Sequence, residues 1–275
     1  MPEHYENFPV ASLLCPARLR PPIAAIYAYA RTADDLADEG DATPDQRLQD
    51  LGQMRSDLLA IAAGRAHSGR WPDVFDTLES MLVRWGLPAP LLADLIDAFM
   101  QDVRYTQTQH LYADRNALMD YCRRSANPVG RLLLHLHGID DDASLAQSDA
   151  ICSALQLINF WQDLSVDLPR GRCYLTRQDC ARHDVDLATL TAGNDSLACR
   201  KLVAELTRDA RSLMLSGAPL VKRIPGRAGW ELRLVVQGGL RILDKIQALD
   251  YGTFRQRPVI QAKDMPLMVW RACWM

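Results

Sequence analysis

The chain has 275 residues, 48% of them hydrophobic, enough to bury a substantial core. Its net charge of −3 and pI near 6.1 exclude the broad basic footprint that nucleic-acid binding needs, so no nucleic-acid partner is expected. The seven cysteines, Cys15, Cys122, Cys152, Cys173, Cys180, Cys199 and Cys273, are odd in number and widely spaced, which argues against a zinc site or a disulfide framework and for a reducing, cytoplasmic setting.

The first residues, Met1 to Asn7, are acidic and lack the basic start and apolar run of a signal peptide. Pro21-Pro22 can open a helix that runs to about Asp38, because proline suits a first turn. Further helical stretches are predicted over 44–63, 73–86, 88–107, 114–137, 144–167, 196–216, 228–250 and 264–274. Gly40, Gly86, Gly138, Gly171 and Gly252 fall at or just beyond these ends, where a left-handed cap is expected. Periodicity weakens between 168 and 195, predicting a long connection with one short helix. No run alternates with a strand's period of two, and no linker or repeat divides the chain. The expectation is an all-α, single-domain helical bundle over 1–275. No run of eighteen apolar residues is present to span a bilayer, so a soluble protein with at most a peripheral membrane contact is expected.

Two helical segments carry the chemistry. Ile151 to Asp167 is apolar almost all round, yet Gln156, Asn159, Asp163 and Asp167 recur at steps of three, four and four, which keeps them on one face. Carboxylates on a core helix are costly unless a cation or polar cavity receives them, and a hard divalent ion such as Mg²⁺ takes such oxygen ligands. On the first helix Tyr27, Arg31, Asp34 or Asp35, and Asp38 share a face. Acidic residues there oppose both one another and the helix dipole, two local rules broken together. The competing readings are a solvated acidic helix end for Asp34 to Glu39 and a water-facing polar stripe for Asp163 and Asp167. A calcium loop at 34–45 does not match the required spacing.

Two helical D-x-x-x-D motifs in a wholly helical chain resemble the squalene and phytoene synthase family, the head-to-head branch of trans-isoprenyl diphosphate synthases. Ala25 to Asp38 is similar to that family's first aspartate-rich region, and Leu155 to Asp167 to its second. Gly171-Arg172-Cys173-Tyr174-Leu175 resembles its G-R-x-Y-L segment, Tyr121-Cys122-Arg123-Arg124-Ser125-Ala126-Asn127-Pro128-Val129-Gly130 its central motif, and Tyr251 to Arg257 its C-terminal tyrosine and basic pair. Three departures, Asn127-Pro128 for the usual Gly-Thr, Gln162 where condensing members carry Arg, and the opening Glu6-Asn7-Phe8-Pro9-Val10-Ala11-Ser12, resemble the hydroxysqualene synthase subgroup of bacterial hopanoid pathways.

The resemblance implies an isoprenoid-synthase fold with a central apolar cavity, presqualene diphosphate as substrate, and Mg²⁺, with Mn²⁺ as its substitute, held by Asp34, Asp35, Asp38, Asn159, Asp163 and Asp167. Asp34, Asp38, Asp163, Asp167 and Tyr121 are the catalytic candidates. Tyr27, Arg31, Asn127, Gln156, Phe160, Arg172, Tyr174 and Arg257 are the substrate-binding candidates, with Lys263 as a further phosphate contact. Water would capture the carbocation to give hydroxysqualene, so no nicotinamide cofactor is expected, and no G-x-G-x-x-G follows a strand. Coupling to a presqualene diphosphate synthase and to a squalene-forming reductase follows from the same resemblance. Two alternatives stay open: a condensing synthase that joins two prenyl diphosphates, and an inert helical protein that binds a prenyl lipid or a partner.

Overall fold

Prolines and polar caps decide where many of the helices begin. The computed structural model describes residues 16–186, 190 and 195–275, and among these every regular element is helical. In chain order they are α1 (Arg20–Asp38), α2 (Pro44–Ala62), α3 (Pro72–Trp85), α4 (Ala89–Thr108), α5 (Arg115–Ser125), α6 (Asn127–His137), α7 (Asp142–Gln162), α8 (Leu164–Asp167), α9 (Arg177–Arg182), α10 (Leu197–Gly217), α11 (Gly226–Ala248) and α12 (Met265–Cys273). Proline stands in the first turn of α1, α2, α3, α4, α6 and α12, where its missing N–H has no helical partner to lose. At α2 a capping box completes the start, with Thr43 Oγ1 accepting from the Gln46 amide and the Gln46 side chain accepting from the Thr43 amide.

The described residues divide into two compact units. One holds 16–110 and 120–145, in which α1 packs on α2, α3 and α4, and α4 packs on α2 and α6. Its core is built from Leu51, Leu58, Phe75, Leu92 and Ile96, all fully buried, each contributing about 1.5–3 kcal/mol of apolar transfer. Tyr29 is equally buried, sets its ring edge-on to Phe75 and donates its hydroxyl to the Leu92 carbonyl.

The other unit holds 111–119 and 146–275. Here α11 packs against α10 and α12 at close quarters. A Cβ on Gly217 would lie 2.5 Å from the Gln147 carbonyl oxygen, so this position must be glycine for α7 and α10 to approach as they do, whereas a Cβ on Gly239 would meet only side-chain ends, the nearest being Met214 Cε at 2.8 Å. The connection after α8 is pinned by Arg115, which pairs with Asp179, Glu205 and Asp209, while Arg182 and His183 also reach Glu205. Asp264, with no exposed side-chain surface, receives Arg241, Lys245 and the Gln261 amide and so seats the start of α12.

Three expectations change. The helix predicted over 114–137 is two, broken at Ala126 (φ −121°, ψ −48°), because Pro128 cannot donate and starts a new first turn. The helix predicted over 144–167 ends at Gln162 and restarts at Leu164, with Asp163 at φ −102°, ψ 13° between them. Gly252 is not the left-handed residue after α11; Asp250 (φ 50°) and Tyr251 (φ 60°) take that conformation instead. A bulky residue held there is strained, and the surrounding contacts must enforce it.

Candidate active site

The break at Asp163 has a specific cause. Three groups from the end of α7 to the start of α8 bind the segment 253–258: Gln162 Nε2 donates to the Pro258 carbonyl at 2.7 Å, Arg257 grips Asp163, and the Ser165 amide donates to the Thr253 carbonyl at 3.1 Å. With the Ser165 amide turned to another segment, the regular ladder lapses for one step. The helix then resumes on the Asp163 carbonyl, which accepts from the Val166 and Asp167 amides.

The grip on Asp163 is two-pronged: Arg257 Nε donates to Oδ1 at 2.5 Å and Nη2 to Oδ2 at 3.2 Å. The Asp163 hydrogen bond, aided by the nearby Asp167 carboxylate, raises the Arg257 pKa against the opposing effect of burial. Arg257, Asp163 and Asp167 thus form one charge cluster. Its neighbour is the turn after α8, where the Arg172 amide donates to the Asp167 carbonyl at 3.0 Å. Burial, with Asp167 adding to it, pushes the Cys173 thiol up to about 11, so this cysteine stays protonated. The Tyr174 ring lies parallel to that of Phe160 at 3.7 Å, bringing one aromatic from the turn onto α7. Of the predicted stripe, Gln156, Asp163 and Asp167 are half-buried and Asn159 is exposed, in a helix whose other faces are largely covered.

On α1, in the other unit, Arg31 gathers the acidic residues. Its Nη1 donates to Asp34 at 3.1 Å, and its Nη2 lies 2.6 Å from Asp35 Oδ1 and 3.1 Å from Glu39. Burial works against the Arg31 charge, but Asp35, Asp34 and Glu39 outweigh it and raise its pKa. The Asp35 Oδ1 contact is ionic only: that oxygen is buried and accepts no hydrogen bond. Asp38 is exposed at the last turn of α1, and Tyr27 is half-buried on the same helix.

The central motif divides between α5 and α6. Tyr121 is 3% exposed and donates its hydroxyl to Asp102 Oδ2 at 2.5 Å, while Asn127 is buried as the first residue of α6. Asp102 on α4 and the clasp from Gln162 to Pro258 escaped the sequence reading. Asp102 was discoverable, because it continues the row of Leu95 and Ala98 on the apolar side of α4. Nothing in the sequence marked Pro258 as the partner of a glutamine 96 positions away. Lys263 is exposed in the turn before α12. The opening segment Glu6 to Ser12 lies outside the described residues.

The donor chemistry suits a hard divalent ion. Both sets consist of carboxylate and amide oxygens, and Asp35 offers a buried oxygen with no hydrogen bond. Among the described residues no group of three or more His, Cys, Asp or Glu is placed to enclose a metal by itself. Mg²⁺ does not require one, since it is usually held by one or two carboxylates and completes its shell with water and substrate phosphate oxygens.

Comparison with known proteins identifies a family. A family model described as squalene/phytoene synthase matches residues 1–264. The hydroxysqualene synthase of Sinorhizobium fredii is 34% identical over 245 residues, covering 89% of this chain and 79% of that protein. That of Rhodopseudomonas palustris is 34% identical over 247 residues, covering 89% and 80%. Among solved structures, the squalene synthase HpnC from Alicyclobacillus acidocaldarius superposes with a TM-score of 0.79 at 35% identity, over 90% of each chain.

Proposed function

The chain belongs to the squalene/phytoene synthase family, is an enzyme of the isoprenoid synthase type, and from that premise we propose that it is a hydroxysqualene synthase acting as one catalytic domain. In this reading presqualene diphosphate and water give hydroxysqualene, diphosphate and a proton: the carbon–oxygen bond to the diphosphate breaks, the cyclopropylcarbinyl cation rearranges, and a water oxygen closes on it as the proton leaves.

The observation that carries the reading is the end of α7. Residue 162 is a fully buried, neutral glutamine committed to a backbone carbonyl, so the position before Asp163 offers no charge to a second diphosphate. An enzyme whose substrate carries one diphosphate has no need of that charge. The hydroxysqualene synthases that match 89% of the chain support the same product.

Asp34, Asp35 and Asp38 on α1, and Asn159, Asp163 and Asp167 on α7 and α8, would hold Mg²⁺ with the diphosphate oxygens. Bound there, the metal would neutralise the charge that builds on the leaving group. Arg31 and Arg257, each already clasped by aspartates, hold their guanidinium planes ready for phosphate oxygens. The stacked Phe160 and Tyr174 rings present π-faces able to stabilise positive charge. Tyr121, anchored by Asp102, is the candidate to hold the attacking water. A presqualene diphosphate synthase would supply the substrate and a squalene-forming reductase would consume the product, in the cytoplasm and in contact with a membrane surface.

A condensing synthase is the second reading, favoured by the 35% identity to the squalene synthase HpnC. Parallel incubations with Mg²⁺ separate the two. We expect turnover of presqualene diphosphate and none of farnesyl diphosphate alone. Release of presqualene diphosphate, squalene or a diene from farnesyl diphosphate would overturn the proposal.

A further inference from the structure

Helix α12 is apolar on the side that faces outward. Its inner side, Met268 and Ala272, packs on α11, as a surface helix should. The opposite side is formed by Met265, Pro266, Val269, Trp270, Cys273 and Trp274, all exposed and none charged. At 100° per residue these six cover an arc of about half the helix circumference. Trp270 is 62% exposed and Trp274 79%. Trp230 on α11 extends the patch through Arg233, whose guanidinium lies 5.5 Å from the Trp230 ring and donates to the Ala272 carbonyl at 3.1 Å. An apolar face with two accessible tryptophans, and a third exposed tryptophan linked to the helix through Arg233, is one that water covers poorly.

Basic residues outnumber acidic ones around it, Glu231 beside Trp230 being the acidic exception. Residues 265–275 contain no Asp or Glu. Asp264 is buried between Arg241 and Lys245, and Asp244 is held by Arg211 and Arg271. Lys263 at one end of α12 and Arg227 one turn before Trp230 are exposed. Two copies meeting through this face would bring like charges together, whereas anionic headgroups would be drawn to them. Tryptophan prefers the membrane–water interface, where its ring is shielded and its N–H stays wet. No helix of the described residues is long and apolar enough to cross a membrane, which leaves insertion in the interfacial plane.

We propose that the outer face of α12, with Trp230 beside it, docks the protein on an anionic lipid surface. This deepens the membrane contact of the proposed function but rests on surface chemistry alone, so it can be tested without substrate. The wild-type chain and the W270A/W274A variant are sedimented with vesicles of equal parts phosphatidylglycerol and phosphatidylcholine, and with vesicles of phosphatidylcholine alone. Both tryptophans are exposed, so circular dichroism and the melting midpoint should match between the proteins. The expected result is binding to the mixed vesicles that weakens in high salt, a partition reduced about tenfold or more in the variant, and weaker binding to phosphatidylcholine alone. Labelling of Cys273 by a water-soluble maleimide should slow on the mixed vesicles. Equal partition of the two proteins would overturn the proposal. So would a wild-type dimer that W270A/W274A dissociates while neither protein binds vesicles, which would make the partner a second copy. Activity on detergent-dispersed presqualene diphosphate is measured separately, so a failed docking face and a failed reaction assignment give different results.

Discussion

Replacing Asp163 by Asn separates the structural share of this residue from its catalytic share. The substitution keeps the shape and one acceptor for Arg257 but removes the charge from a two-pronged pair whose side chains are 33% and 22% exposed. Partial exposure discounts such a pair to about 1 kcal/mol, a fall of about 2–4 °C in melting midpoint for a chain of this size. Loss of one group that stabilises the departing charge should cost about 3–4 kcal/mol in the barrier, a 10²–10³-fold drop in kcat. A protein destabilised by 1 kcal/mol remains folded at 25 °C, so the first effect cannot produce the second. Thermal denaturation and steady-state turnover of presqualene diphosphate, measured on the same preparation, test both. A normal kcat with a lowered midpoint would make Asp163 a clasp for Arg257 and nothing more.

Three further outcomes follow from the packing. Gln162→Leu deprives the buried Pro258 carbonyl of its donor and should lower unfolding free energy by about 1–2 kcal/mol in denaturant titration; no change would remove the anchoring role of Gln162. Burial alone would raise the Asp264 carboxyl, but Lys245, the Gln261 amide and Arg241 outweigh it and hold it well below the usual range. Its stabilisation is therefore present above the unfolded carboxylate pKa of about 4 and lost as pH falls below that. Asp264→Asn should cost about 2–3 kcal/mol at pH 7 and flatten the acid limb of stability against pH; an unchanged limb would refute this. Gly217→Ala drives a Cβ into the Gln147 carbonyl and should destabilise by about 3 kcal/mol. Gly238→Ala, whose Cβ meets only Met268 and Ile260 side chains at ordinary distances, should be neutral or stabilising by up to about 1 kcal/mol, so equal midpoints for Gly217→Ala and Gly238→Ala would contradict the packing.

Local rules carried much of the fold. Prolines in first turns, the glycine caps at Gly86 and Gly138, and 3.6-residue periodicity locate the helices within a few residues. They failed where a distant segment intervenes. The Ser165 amide leaves its helix for Thr253, and no window around residue 165 contains that partner. The same limit applies at the site: spacing singles out the acidic segments as candidates, whereas the helix break at Asp163 and its pairing with Arg257 depend on tertiary structure that brings residues 94 positions apart into contact. At Asn127-Pro128 the local signal was present, since a proline inside a helical pattern calls for a break. Continuous periodicity on both sides concealed it.

The measurement that bears most directly on the function is the mass of the product formed from presqualene diphosphate in ¹⁸O-labelled water with Mg²⁺. Capture of the cation by water predicts hydroxysqualene carrying one labelled oxygen, formed without nicotinamide. An unlabelled hydrocarbon, or a product that forms only when a hydride donor is added, would contradict it.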